Sequence, residues 1–342
     1  MIHAEGLAYS YRARRIGGTP VPAVHEVSLD VARAEVVAFL GPNGAGKSTT
    51  FRMLTGAVRP SAGRARVAGH ELPRQARAVR RRIGCVGQSS GTSPDSTVVE
   101  ELVTQGRLYG LGRGASRRRA AELLADFELT GVERRQTKTL SAGQRRRLDV
   151  ALALVHGPDV LFLDEPTAGI DPHARAHLWA HIELLRREHG TTVLLSTHYL
   201  DEADGVADRV YVIDRGRVVA EGSPADLKAT TARDPQVRLH VPPTSLQAAM
   251  AHVLATPDTS DAERSDEDVT FRYRRESSAL PDVISALVHQ QIPILSLHVE
   301  QPSLDDFFLG LTGRALREPE LPARHDRGRR KSRLPGRKDR KA

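Results

Sequence analysis

Four apolar runs punctuate the first two thirds of the chain: VVAFL at 36–40, VLFLD at 160–164, TVLLS at 192–196 and RVYVID at 209–214. Such runs lack a polar side, so they predict strands buried on both faces, as in a parallel sheet flanked by helices. Between them the period becomes helical. Thr97-Val-Val-Glu100 has the form of a capping box, and Ala120, Leu123, Leu124 and Phe127 recur three and four residues apart. A helical subdomain is expected over about residues 90–155. After Lys228 the pattern shortens to alternating strands at 236–241, 268–274 and 294–300, separated by helical segments and an acidic loop at 258–268. That is the pattern of a second, small α+β domain over 229–313. No fixed-period repeat is present.

Composition adds limits to this outline. With 342 residues and 39% apolar content, the chain can bury one large core and a smaller one. The lone Cys85 excludes a disulfide framework, points to a reducing compartment and reads as inert packing. The N-terminus has no apolar signal-like region, and no uncharged apolar run approaches the ~20 residues needed to span a bilayer. A role at a membrane therefore needs a partner. The 50 Lys and Arg against 42 Asp and Glu give a net charge of +8. Residues 314–342 hold 12 of those bases and 4 of the acids, so residues 1–313 carry 38 of each sign. The basicity belongs to the tail, which has almost nothing to bury and is expected to be disordered. It does not make the fold a nucleic-acid binder.

The chemistry begins at Gly41-Pro42-Asn43-Gly44-Ala45-Gly46-Lys47-Ser48-Thr49, which fits G-x-x-x-x-G-K-[ST] between an apolar strand and a helical stretch. The glycines let backbone N–H groups turn inward around phosphates, and the helix N-terminus adds its dipole. Lys47 is expected to meet the β/γ oxygens and Ser48 to ligate Mg²⁺. The run 160–163 delivers Asp164 and Glu165 to the C-terminal end of a buried strand, where α/β ligands bind. Asp164 is then expected to hold Mg²⁺ through water and Glu165 to polarise an attacking water.

Phosphate loops serve many enzymes; Leu140-Ser141-Ala142-Gly143-Gln144 narrows the class. It stands about 20 residues before VLFLDEPTAGIDP and resembles the signature of the ATP-binding cassette (ABC) family. The resemblance covers about residues 2–228. It implies a P-loop NTPase with a mostly parallel sheet core, a helical subdomain and N-terminal antiparallel strands. It also implies ATP with Mg²⁺, and a homodimer in which Ser141, Gly143 and Gln144 of each copy cap the γ-phosphate held by the other. By the same resemblance Tyr11 stacks on adenine and Asp171 lies in the D-loop. Gln88 senses Mg²⁺ and the attacking water while contacting a membrane subunit, and His198 contacts the γ-phosphate. Ten residues, 12–21, look inserted after Tyr11.

Three positions depart from the family pattern: Ala142 for a signature glycine, Gly87 before the glutamine, and Ala34 for a turn glycine. A methyl at 142 is expected to crowd the phosphate of the opposite copy, with Gly143 keeping the close approach. AGQRRRLDVALALVHGPDVLFLDEPTAGIDP, GRLYGL at 106–111 and PSLDDFFLGLTG at 302–313 resemble daunorubicin-resistance-type export ATPases. This branch implies an ATPase subunit attached peripherally to the cytoplasmic face of the membrane, driving export of a drug-like molecule through separate permease subunits. A soluble cassette acting on ribosomes or nucleic acid is the rival reading, but such proteins usually carry two cassettes or coiled-coil insertions. This chain has one cassette and no heptads, so no nucleic-acid partner is expected. Ala142 also leaves open a slow ATP-dependent switch.

Overall fold

A computed structural model of the chain describes residues 1–12, 19–231 and 233–313. The basic tail, 314–342, and most of the insertion after Tyr11 lie outside the described residues. Val36–Leu40, every residue of it buried, forms the centre of the main sheet. It pairs in parallel with Thr192–Thr197 on one side and Arg209–Asp214 on the other. Val160–Asp164 and Ile83–Val86 extend the parallel run, and Arg217–Gly222 closes the far edge antiparallel.

Strand period sorts the side chains into two cores. Val37, Phe39, Val160 and Phe162 point into one, together with the helix Lys47–Leu54 and the antiparallel sheet formed by Ile2–Tyr11, Val21–Val31, Ala62–Val67 and His70–Leu72. Val36, Ala38, Leu40, Leu161 and Leu163 point into the other, against the helices. There Val98–Leu108 starts at the expected Thr97/Glu100 capping box, Arg113–Asp126 buries Ala120, Leu123 and Leu124, and Ala142–Leu154 starts at a second capping box made by Ser141 and Gln144. The turn before Val36–Leu40 shows why a glycine is usual at its third residue: Ala34 sits at φ 58°, a left-handed conformation that costs a non-glycine residue roughly 1 kcal/mol.

The C-terminal part builds its own sheet from Gln236–His240, Thr259–Arg264, Asp268–Tyr273 and Ser296–Glu300, with a separate core under Leu246–Ala255 and Ala279–His289. The stretch read as an acidic loop is mostly a strand. Thr259–Arg264 pairs with Asp268–Tyr273 at the sheet edge, where charged side chains face water and hide the alternation. The closing helix, Leu304–Thr312, leaves this sheet altogether. Its Leu304, Phe307 and Phe308 join the core that holds Leu200, Ala203 and Leu227. An ion pair from Arg233 to Asp306 fastens its first turn.

Candidate functional site

The phosphate loop connects Val36–Leu40 to Lys47–Leu54, and its glycines have two separate jobs. Gly44 and Gly46 adopt φ 79° and 107°, which an L side chain resists. Gly41 instead keeps its distance from the strand beside it, since a Cβ there would lie 2.1 Å from the Ile213 carbonyl oxygen. Gly41→Ala is therefore expected to cost about 1–3 kcal/mol by forcing loop and strand apart, read as a lower midpoint in urea unfolding together with weaker ATP binding. Pro42, Asn43 and Gly44 form the loop's rim and Ala45 packs beneath it.

Lys47, only 4% exposed, folds over the loop and donates to the Gly41 and Pro42 carbonyls at 2.5 and 3.1 Å. Burial lowers its pKa, while Glu165 and Asp164 pull it back up. Thr49 meets the hydroxyl of Tyr11 at 3.1 Å, so the half-exposed tyrosine ring stands beside the first turn of the helix.

The strand Val160–Asp164 brings its carboxylates to the same place. Asp164 Oδ1 accepts from Ser48 Oγ at 3.0 Å and from Ser196 Oγ at 2.5 Å. A serine hydroxyl and a carboxylate converging at the mouth of a phosphate loop are hard oxygen donors of the kind Mg²⁺ takes, so these residues fit that cation. Glu165 follows at φ 49°, its N–H tied to the Ser196 carbonyl at 3.1 Å. This backbone turn aims the side chain toward His198, whose Nδ1 lies 3.4 Å from Glu165 Oε1. The His198 ring leans on Tyr199, 4.1 Å between centroids, and its Nδ1 is buried with no hydrogen bond to a described residue.

Other predicted residues stand apart from this cluster. Gln88 is exposed in the loop after Ile83–Val86 and makes no hydrogen bond to a described residue. Ser141 and Gln144 spend their side chains on capping Ala142–Leu154, and Asp171 caps Pro172–His189 by accepting from the Ala174 N–H at 2.9 Å, which lowers its carboxyl pKa. No hydrogen bond joins Ser141, Gly143 or Gln144 to residues 41–49 of the same chain. Gly143 has an internal duty too, since a Cβ there would meet the Ala174 methyl at 3.1 Å, where the two helices touch. The Gly87 departure is sterically free, because a Cβ at that position would have only Ser89 O at 3.8 Å.

Sequence reasoning missed Arg146. Its buried guanidinium donates to the carbonyls of Pro166, Gly87, Asp164 and Glu165 at 2.6–3.1 Å. It thereby pins the signature helix to the end of the carboxylate strand and to the loop of Gln88. Ser196 was missed as well, hidden in a run that reads as plain apolar strand. So was Glu202, buried under hydrogen bonds from Thr167 and Thr197.

Residues 24–168 match the family described as ABC transporter, and residues 222–312 match that described as ATP-binding protein DrrA1-3-like, C-terminal domain. The daunorubicin resistance ATP-binding protein DrrA3 of Streptomyces coeruleorubidus is 44% identical over 85% of this chain and 91% of its own length. The daunorubicin/doxorubicin resistance ATP-binding protein DrrA of Streptomyces peucetius is 41% identical over 91% of this chain and 92% of its own. The chain belongs to the ABC transporter ATP-binding proteins. Its fold agrees, with a TM-score of 0.60 and 25% identity over 65% of this chain and 98% of the other, to the ATP-binding cassette MJ0796 in a dimeric post-hydrolysis state bound to ADP and Pi.

As an ABC ATPase it binds and hydrolyses ATP. Among the described residues, no helix of the cassette is long and apolar enough to cross a membrane. The cassette does carry a groove of about 430 Å³ between the Gln88 loop and the helical subdomain, walled by Cys85, Gly87, Glu101, Gln105, Tyr109 and Asp149. Cys85 is thus an exposed wall residue rather than inert packing, although partial burial still pushes its thiol up to about 12 and keeps it protonated. Asp149, sunk beside it, has its pKa raised by burial against the opposing pull of its Ser90 hydrogen bond.

Proposed function

We propose that this chain powers the export of a drug-like small molecule through separate permease subunits, as a homodimer bound peripherally at the cytoplasmic face of the membrane. Residues 1–228 act as the ATPase unit in this reading and 229–313 as an accessory domain, with the closing helix seated back on the ATPase unit. The loop amides of residues 41–46 and Lys47 hold the β- and γ-phosphates, and Tyr11 supports the adenine. Ser48 and Asp164 hold Mg²⁺, with Gln88 completing its surroundings; when bound, the cation neutralises phosphate charge. Glu165 takes a proton from the attacking water, and His198 positions the γ-phosphate.

The observation that carries the reading is the convergence of Ser48, Asp164, Glu165 and His198 at one phosphate loop, while the signature tip stays unengaged with that loop. A second copy is then required: its Ser141, Gly143 and Gln144 cap the γ-phosphate, and Asp171 adjoins the shared interface. ATP draws the copies together, and phosphate release parts them. The groove beside Gln88 offers a permease segment a seat through which that movement passes.

Turnover measured with and without the co-expressed permease tests the reading. Hydrolysis stimulated by the permease is expected, and a chain that binds ATP without turning it over in either state would make it a switch instead. Ala142→Gly is expected to leave or raise turnover, because it relieves crowding at the opposite copy's phosphate. A fall in kcat for Ala142→Gly would show that the methyl belongs in the working site.

A further inference from the structure

The short helix Ala76–Arg82 buries one residue, Val79, fully. At 100° per residue Arg77 and Arg81 stand on the side opposite Val79, side by side and exposed. Neither has an ion pair or hydrogen bond with a described residue. Arg80 joins them, donating to the Gly56 carbonyl at 3.1 Å. These three arginines line a shallow depression together with Leu108, Tyr109 and Gly110 and no acidic residue. Leu108 is 76% exposed, more than any other large apolar residue among those described. Tyr109 beside it is exposed on one side and stacked on His156 on the other, with centroids 3.7 Å apart and planes 6° from parallel.

An exposed leucine and a stacked tyrosine beside two unpaired guanidinium groups, Arg77 and Arg81, and a third, Arg80, bound only to a backbone carbonyl, is the composition of an interfacial anchor. The guanidinium fork suits phosphodiester oxygens, and the apolar tip suits the boundary beneath the headgroups. We propose that this arginine face, Arg77, Arg80 and Arg81 around Leu108 and Tyr109, docks on anionic phospholipid at the bilayer surface. Arg80 and Tyr109 also line the groove proposed as the permease seat, so the face lies on the side that meets the membrane. The proposal rests on that reading for its orientation alone. A deep pocket with a cationic floor would favour an acidic segment of the permease; a shallow face with an apolar tip favours lipid.

The test uses the full chain without permease, sedimented with vesicles of phosphatidylcholine alone or with about one third phosphatidylglycerol. Preference for the anionic vesicles is expected at low salt. The pair Arg77→Glu and Arg81→Glu should weaken that binding by roughly tenfold or more, with ATP turnover at the parent rate as proof of folding. The control pair Arg217→Glu and Arg264→Glu makes the same charge change elsewhere and should lose less than about threefold. The proposal is overturned if the Arg77/Arg81 pair binds anionic vesicles like the parent, or if both pairs lose equally, which would leave general attraction. It is also overturned if the Arg77/Arg81 pair keeps vesicle binding but loses stimulation by the permease, which would assign the face to an acidic permease segment. Vesicle binding that depends on the face, in a chain that no permease stimulates, would sink the groove reading and leave this one standing.

Discussion

Glu165→Gln is expected to lower ATP turnover by ~10² or more while ATP binding survives. The substitution removes the carboxylate charge and changes little else. Ser48 and Asp164 keep their 3.0 Å contact, and the left-handed backbone at 165 is fixed by the Ser196 carbonyl rather than by the side chain. The amide still reaches toward His198 but is no base, so water at the γ-phosphate keeps its proton. If two copies close around ATP and hydrolysis reopens them, the variant should accumulate as a closed dimer with Mg-ATP. Light scattering and a steady-state ATPase assay read both effects. A variant that remains monomeric with ATP, or that turns over at the parent rate, would remove Glu165 from the role proposed for it.

The shape of the loop 41–46 was legible because glycines write backbone geometry directly into the sequence: Gly44 and Gly46 take positive φ, and Gly41 leaves room for the Ile213 carbonyl. The buried strands were legible for a related reason: two covered faces leave no polar positions in Val36–Leu40 or Val160–Leu163. The main sheet and its capped helices therefore followed from pattern. What stayed hidden depends on pairing and packing that the local pattern of apolar and polar residues does not record. Thr259–Arg264 is an edge strand whose charges look like a loop, and only its pairing with Asp268–Tyr273 defines it. The closing helix has an apolar stripe that names no destination, and the structure sends it to the ATPase core. Ala34 read as a departure at a turn glycine, and its φ of 58° gives that departure its physical cost. Arg146 was lost in a run of three arginines, of which the middle one turns inward and is 7% exposed.

Arg146 is the residue whose replacement should damage both stability and turnover. Its guanidinium is the common donor for carbonyls of four residues in two segments: Gly87 beside Gln88, and Asp164, Glu165 and Pro166 at the end of the carboxylate strand. It also lies 3.9 Å from Asp149. Arg146→Gln leaves most of those buried carbonyls without a donor and Asp149 without its nearest cation, a loss of about 3–5 kcal/mol by analogy with breaking a buried charge pair. Arg146→Lys keeps the charge but not the fork, and one ammonium has too few donors, too closely set, for the same four carbonyls. Both variants should unfold at lower urea, Gln more than Lys. Turnover in whatever fraction stays folded should fall at least tenfold with ATP binding retained, because Glu165 and the Gln88 loop lose the strut that fixes their spacing. That split separates positioning from plain destabilisation, since a purely structural arginine would leave kcat per folded molecule unchanged. Parent-like unfolding midpoint and parent-like kcat in Arg146→Gln would show that the four carbonyls find other donors and that the signature helix is coupled to the carboxylates by some other contact.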